Sequence, residues 1–328
     1  MIALGLALLL AAAAPPNPQS AAVGTHVLLV TGLSGEPRFA AAFHAAAASI
    51  YDAAKSRWVR SDSSLVYLAE DPAQDPARIK ARATRDGIAS AIAALGARSA
   101  PGDVVLIVLF GHGSGQGTDS RLSLPGPDAT AADFATWLGP LSGRIVVLVN
   151  TSSGSGDFVP ALSGKDRVVI TATKTAMERN ETTFGSHFAK ALVSEAADAD
   201  RDGRVTLLEA FEYARREVAK GYESRNLLAT EHALLDDDGD GKGTGSPGAA
   251  QGDGALARTV AFGIAPSPTD PRVAGLIAER RALEGQVDAL RRKKTTMDST
   301  AYERELERLL VEIATRSAAI RAVAVQKP

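Results

Sequence analysis

Short, almost wholly apolar segments recur along the first half of the chain and alternate with longer segments whose apolar positions follow helical spacing. Such runs are typical of strands covered by helices on both faces, because polar side chains are then excluded from both sides. The predicted strands are 26–32, 64–69, 104–110, 145–150 and 167–173, with 258–263 as a sixth. The alternation predicts an α/β fold with a doubly wound, mainly parallel six-stranded sheet flanked by helices.

The pattern changes near residue 270, where two long amphipathic helices are predicted. Pro271 after Asp270 is a typical helix start, and Thr300 with Glu303 forms a capping box after a break. Both helices carry a heptad seam, interrupted at Arg280: Val273, Leu276, Leu283, Val287, Leu290, Tyr302, Leu306, Leu309, Ile313, Ile320 and Val323. We expect a C-terminal antiparallel helical hairpin, either packed on its own domain or used as a coiled coil for oligomerisation or partner binding.

The first residues resemble a signal peptide, with an apolar region too short to span a bilayer. Cleavage is expected near Ala12 and Ala14 or near Ser20 and Ala22. The start of the chain before the apolar region has no Lys or Arg, which leaves an uncleaved anchor or a misassigned start as alternatives. We expect export to the periplasm or the extracellular space. The predicted organisation is a signal peptide over 1–22, an α/β domain over 23–264, a linker over 265–270 and the hairpin over 271–328.

Composition removes several function classes. The chain has 328 residues and a net charge of −2, and no basic run supports nucleic-acid binding. No further segment is expected to enter a membrane. The chain has no cysteine, which excludes disulfides, thiolate metal ligands and a thiol nucleophile.

Two predicted strands end in turns that carry reactive polar groups. His112 and Gly113 follow the third strand, and Thr151, Ser152 and Ser153 follow the fourth. Ligand sites of open α/β sheets form at the carboxyl ends of their strands, so a general-base histidine and a hydroxyl are expected on neighbouring loops. The alternative for His112, which stands between two glycines, is a turn cap.

Phe110-Gly111-His112-Gly113-Ser114 and the strand order around it resemble the caspase and legumain superfamily of cysteine peptidases, over roughly residues 24–263. The resemblance implies that His112 is the general base and that the Gly113 N–H faces an oxyanion. It puts Thr151 at the position of the cysteine nucleophile when Ser153-Gly154 is matched, and Ser153 there when Ser155-Gly156 is matched. A hydroxyl depends wholly on its base, and the sequence offers no clear residue to orient His112.

The favoured interpretation is therefore a peptidase homologue that binds a peptide or partner protein without cleaving it. One alternative is an active Ser/Thr-dependent endopeptidase or hydrolase that uses His112 with Thr151 or Ser153. Another is a scaffold that acts through the C-terminal coiled coil. The resemblance also places Glu178 and Arg179 on the loop that lines the primary side-chain pocket, although a solvated charged loop is the favoured interpretation there.

A further motif predicts a structural Ca²⁺ site in residues 198–209, called here the first acidic loop. Its spacing is that of an EF-hand loop, with Gly203 at position six, where the turn is sharp. The expected ligands are Asp198, Asp200, Asp202, the Arg204 carbonyl, Thr206 through water, and Glu209. The alternative is a plain capping box of Thr206 and Glu209.

The run from Asp236 to Asp240 begins with the same spacing of acids. Its twelfth position is Pro247, which has no side-chain ligand, so the sequence leaves an incomplete calcium site and a solvated turn as alternatives.

Overall fold

The computed structural model describes residues 23–115, 119–200, 202–248, 252–263, 271–292, 294 and 296–325. The signal peptide predicted over 1–22 and the linker predicted over 265–270 lie outside the described residues. None of the described helices is both long and apolar enough to cross a membrane.

The strands are β1 (Thr25–Thr31), β2 (Leu65–Ala69), β3 (Ala81–Arg82), β4 (Val104–Phe110), β5 (Gly113–Ser114), β6 (Arg121–Leu122), β7 (Ala129–Thr130), β8 (Ile145–Asn150), β9 (Arg167–Thr171), β10 (Arg204–Thr206), β11 (Leu234–Asp236) and β12 (Ala261–Gly263). The helices are α1 (Pro37–Ala53), α2 (Arg85–Arg98), α3 (Ala131–Leu138), α4 (Phe158–Leu162), α5 (Phe184–Leu192), α6 (Leu207–Ser224), α7 (Pro271–Arg292) and α8 (Ser299–Val325).

A mainly parallel sheet forms the centre of the α/β fold, in the order β11-β9-β8-β4-β1-β2-β3. All its pairings are parallel except that of β11 with β9. The strand order reverses about β1, as in a doubly wound sheet. The mixed α/β architecture and the parallel sheet predicted from sequence are therefore confirmed.

The predicted sixth strand is wrong in its placement, and the sheet has seven strands instead of six. The segment expected at 258–263 forms β12, which pairs antiparallel with β10, with Val205 opposite Phe262. The Phe262 ring packs at 4.7 Å from Trp58, and the Trp58 indole donates to the Gly263 carbonyl at 2.9 Å. These contacts hold β12 away from the sheet, whose edges are the short strands β3 and β11.

Two apolar layers cover the sheet because successive strand residues face opposite sides. In β1, Val27 and Leu29 belong to the layer that includes residues of α1, α5 and α6. Leu28 and Val30 belong to the layer that includes residues of α2, α3 and α4. Burial on both faces leaves only the strand ends and their loops open to chemistry.

The helices α7 and α8 pack on each other through a separate buried cluster of Leu283, Val287, Leu290, Tyr302 and Leu309. The Arg316 guanidinium also donates to Glu279 at 2.6 Å, which joins the second half of α8 to the first half of α7.

Candidate functional site

The loops that follow β4 and β8 lie together because the two strands are parallel neighbours, with Leu109 opposite Asn150. The contact is close at Gly113: a Cβ atom there would stand 2.4 Å from the Ser153 carbonyl oxygen and 2.7 Å from the Ser152 hydroxyl. Only glycine fits that approach. The structure thus places His112 and Gly113 on one loop and Thr151, Ser152 and Ser153 on its neighbour.

His112 is held by contacts that the sequence does not reveal. Its Nε2 lies 3.1 Å from the Ser34 carbonyl, and its ring meets Phe39 and Phe43 edge-on at 4.5 and 5.4 Å. Ser34 in turn donates from its backbone and hydroxyl to Glu70, at 2.9 and 2.6 Å. A carbonyl only accepts, so Nε2 carries a proton, and in the neutral ring Nδ1 is the basic nitrogen.

The three candidate hydroxyls all donate to acceptors other than His112. Thr151 donates to the Leu109 carbonyl at 2.8 Å, and Ser152 to the Asn150 side-chain oxygen at 2.7 Å. Ser153 donates to the Gly113 carbonyl at 3.1 Å. Each of the three residues is less than 5% exposed, and over the described part of the chain no hydrogen bond joins His112 to any of them.

The Gly113 N–H, which the resemblance assigns to an oxyanion, donates to the Ser153 hydroxyl at 3.2 Å. The charged loop beyond β9 is also held in place. The Glu178 carboxylate accepts from His232 Nδ1 at 2.7 Å, and the Arg179 guanidinium donates to the Gly115 carbonyl at 2.8 Å. Glu178 and Arg179 thus fix this loop to the segments that contain His232 and Gly115.

The first acidic loop lies between α5 and α6, whose apolar faces pack together. The ring centroid of Phe184, at the start of α5, lies 5.7 Å from that of Phe188 and 6.0 Å from that of Phe211. Gly203 has φ +79°, the left-handed conformation that position six requires. Thr206 and Glu209 form the capping box that opens α6.

Acidic oxygens converge at two points of this loop. Carboxylate oxygens of Asp198, Asp200 and Glu209 lie within 4.8 Å of one another, and Asp200 and Asp202 form a second group with Glu284 of α7. Asp198 accepts the N–H groups of Asp202 and Gly203 at 2.9 and 2.8 Å. The backbone thus fixes the position of the Asp198 carboxylate within this group.

The side chains of the other two predicted ligands point to other partners. The Arg204 guanidinium donates to the Ala261 carbonyl of β12. The Thr206 hydroxyl donates to Glu209 at 2.8 Å. The pKa of Asp200 lies above its usual range, mainly because burial removes water from its carboxylate. The negative charge of Glu209 raises this pKa further.

Arg280 is a residue of the candidate site that the sequence signals only indirectly, as the interruption of the heptad seam. It is 1% exposed. Its guanidinium lies 3.4 Å from an Asp202 carboxylate oxygen, 3.7 Å from Asp200 and 3.2 Å from Glu284. The positive charge of Arg280 therefore lies beside the first acidic loop. It lowers the pKa of Asp200, whereas burial and the neighbouring carboxylates raise it.

Three comparisons with known proteins were informative to different degrees. No family model matches the chain, and no curated protein matches it. Among solved structures, a secreted C11 cysteine protease from Bacteroides thetaiotaomicron, crystallised with an irreversible peptide inhibitor, is similar at a TM-score of 0.39 and 12% identity. The match covers 65% of this chain and 66% of that one.

Proposed function

We propose that this chain is a non-catalytic protein of caspase-like fold that binds a peptide or partner protein at the loops following β4 and β8. The observation that carries the proposal is the state of the three hydroxyls at 151–153. Each is buried, and each uses its single proton on an acceptor that is not His112.

A serine or threonine nucleophile needs a base within hydrogen-bond reach, because a free hydroxyl is scarcely ionised at neutral pH. Thr151 would have to break its 2.8 Å bond to Leu109 before its oxygen turned to another partner. Ser153 is tied twice to Gly113, and one of those bonds occupies the N–H that would stabilise an oxyanion. Both observations support a site that does not carry out acyl transfer.

The test is cleavage of a peptide library by the full chain in calcium, read by mass spectrometry, with His112→Ala as the control. We expect the two proteins to give the same background. Cleavage by the parent that is lost in His112→Ala would overturn the proposal and establish the hydrolase. Thr151→Val and Ser153→Ala would then identify the nucleophile.

Binding has a separate test. Peptides selected from a displayed library on the immobilised parent are titrated against the parent, His112→Ala and Leu228→Ala, the last at a surface position 90% exposed. Binding in the cleft predicts at least a tenfold weaker Kd for His112→Ala and no change for Leu228→Ala. Equal affinity for all three proteins would remove the cleft as the binding surface.

Calcium in the first acidic loop is the second part of the proposal. Asp198, Asp200 and Glu209 would hold the ion and Gly203 would allow the turn, while the positive charge supplied by the ion would relieve the repulsion among these carboxylates. The ion would act as a structural clamp between α5 and α6. An exported chain, as the first residues predict, would meet abundant calcium.

The C-terminal helices have a role in the same proposal. Five seam residues are buried between α7 and α8, so these side chains are already used within the chain: Leu283, Val287, Leu290, Tyr302 and Leu309. We propose that α7 and α8 form a helical hairpin that docks Arg280 on the first acidic loop, in preference to a coiled coil between chains. Light scattering should give a monomer mass; a stable dimer that Leu283→Ala dissociates would support the scaffold alternative.

A further inference from the structure

The segment from Asp236 to Thr244, called here the second acidic loop, contains a carboxylate with no hydrogen-bond partner. Asp236 ends β11 and is 1% exposed. Neither of its side-chain oxygens makes a hydrogen bond of acceptable geometry. A buried carboxylate in this state is costly unless a cation is beside it. A bound cation would remove this cost at Asp236.

Two further carboxylates converge on it. Oxygens of Asp236, Asp238 and Asp240 lie within 4.8 Å of one another. Two ligands on opposite sides of a Ca²⁺ ion stand about 4.6–5.2 Å apart, since each Ca–O distance is about 2.3–2.6 Å. The three oxygens therefore fit around one ion.

The described residues place no ion-paired cation at this cluster. Over the described residues, no Lys, Arg or His makes an ion pair with Asp236, Asp238 or Asp240. The Ser163 hydroxyl lies near Asp236 and accepts the Gly241 N–H at 2.9 Å. Backbone N–H groups also contribute: Asp238 and Asp240 each accept one, at 3.0 and 2.7 Å, and the Gly241 N–H acts on Asp236. These donors are neutral, so the three carboxylates have no cation beside them among the described residues.

Electrostatics within the loop agree with this. Burial is the largest influence on Asp236 and raises its pKa; the nearby Ser163 hydroxyl acts in the opposite direction, and the charges of Asp238 and Asp240 raise the pKa again. In the ionised form the three carboxylates repel one another, and a divalent cation is the ligand that reverses that repulsion.

The loop is preformed. Leu235 and Thr244 exchange both backbone hydrogen bonds at 2.9 Å, which closes the base of the loop. Gly239 and Gly241 have φ +84° and +75°, the left-handed conformation that glycine adopts without strain. Asp237 faces the other side of β11, where it accepts the N–H groups of Gly254 and Ala257 at 2.8 and 2.7 Å.

We propose that Asp236, Asp238 and Asp240 bind one divalent cation, Ca²⁺ by preference, with water completing the coordination. Calcium suits the site because it accepts six to eight oxygen ligands in flexible geometry, whereas Mg²⁺ demands a near-ideal octahedron at shorter distances. The Lys242 carbonyl stands at the position that supplies a backbone ligand in EF-hand-type loops. Pro247 leaves the twelfth position without a ligand, so we expect weaker binding than at a complete loop.

The bound ion would have a structural consequence. β11 is the only antiparallel strand of the central sheet and lies at its edge. The loop that follows it packs on the end of α4, where Gly239 approaches the backbone of Gly164. The ion would therefore hold the edge strand and the segment after α4 together.

The test counts bound calcium on the full-length chain by equilibrium dialysis with elemental analysis. We expect Asp236→Asn to bind one ion fewer per chain than the parent. Asp200→Asn is the matched variant of the first acidic loop, and Asp86→Asn, on the surface of α2, is the control that should bind as many ions as the parent. The difference between the parent and Asp236→Asn is expected whether or not the first acidic loop binds calcium.

Thermal unfolding in chelator and in calcium adds a second readout. In chelator, Asp236→Asn should match or exceed the Tm of the parent, because it removes a repelling buried charge. In calcium the order should reverse, with the parent showing the larger upward shift. An unchanged ion count together with an equal calcium shift would overturn the site and leave Asp236 as a buried protonated acid.

If Asp236→Asn does not fold, Asp238→Asn and Asp240→Asn carry the test, since both side chains are exposed. Each should weaken calcium binding at the second acidic loop at least tenfold. Binding equal to that of the parent in both variants would overturn the proposal.

Discussion

The first acidic loop (198–209) and the second acidic loop (236–244) begin with the same spacing of acids, yet their surroundings differ. The first has the full set of ligand positions, but its carboxylates already have partners: backbone N–H groups bind Asp198, and the Arg280 guanidinium stands 3.4 Å from Asp202. The second lacks its twelfth ligand, and the buried Asp236 has only neutral donors near it, the Ser163 hydroxyl and the Gly241 N–H, with no ion pair among the described residues. The need for a cation is therefore greater in the loop with the poorer motif.

The difference shows that ligand spacing and charge balance are separate properties. Spacing is local and is set by a few consecutive residues. Charge balance depends on which distant segments bring cations, and here α7 brings Arg280 to one loop while no described cation pairs with the other. Variants that change one loop at a time can separate the two properties.

The largest expected effect comes from the helices that support the first acidic loop. Phe211 is fully buried against Phe184, and Phe211→Ala should lower the free energy of unfolding by about 4 kcal/mol because a cavity replaces the ring. Calcium affinity should fall at the first loop and stay unchanged at the second. Urea unfolding and calcium titration measure the two effects; equal losses of affinity at both loops would contradict their independence.

A smaller effect is expected at Arg280. In chelator, Arg280→Met should lower the free energy of unfolding by about 2 kcal/mol, since it leaves partly buried carboxylates without their cation. Calcium affinity at the first loop should rise roughly fivefold to tenfold, because two unit charges 4 Å apart interact by about 1 kcal/mol even in water.

Calorimetric titration checks this change in affinity, and Arg308→Met is the matched control, as its ion pairs with Glu305 and Glu312 are on the surface. A weaker calcium affinity in Arg280→Met would mean that the guanidinium helps to shape the site.

The smallest expected effects separate backbone strain from packing. Gly203→Ala and Gly239→Ala both place a side chain at positive φ, which costs about 1 kcal/mol. At Gly203 the new methyl group meets nothing within 4 Å, whereas at Gly239 it stands 3.3 Å from the Gly164 backbone. Gly239→Ala should therefore be the less stable of the two by a few tenths of a kcal/mol in chemical denaturation. Equal stabilities would show that the second loop shifts freely against α4.

Much of the central fold can be predicted from sequence, because strands buried on both faces are almost wholly apolar. The runs that became β4 and β8 are examples, and their parallel pairing places the two reactive turns together. The edge strands escape prediction for the opposite reason: Ala81–Arg82 and Leu234–Asp236 are too short to show a period. Residues 258–263 have strand character, but a strand pattern does not specify the partner.

The candidate site divides in the same way. The sequence by itself determined which residue types stand at the strand ends, that no thiol is present, and that two runs of acids have the spacing of oxygen ligands, since these properties are local. Only the tertiary structure decided that three hydroxyls donate away from His112, that Arg280 stands beside one acidic loop, and that Asp236 is buried without an ion pair among the described residues. Most of these partners come from segments distant in the chain, such as Leu109 for Thr151 and Arg280 for Asp202, and sequence spacing carries no information about them.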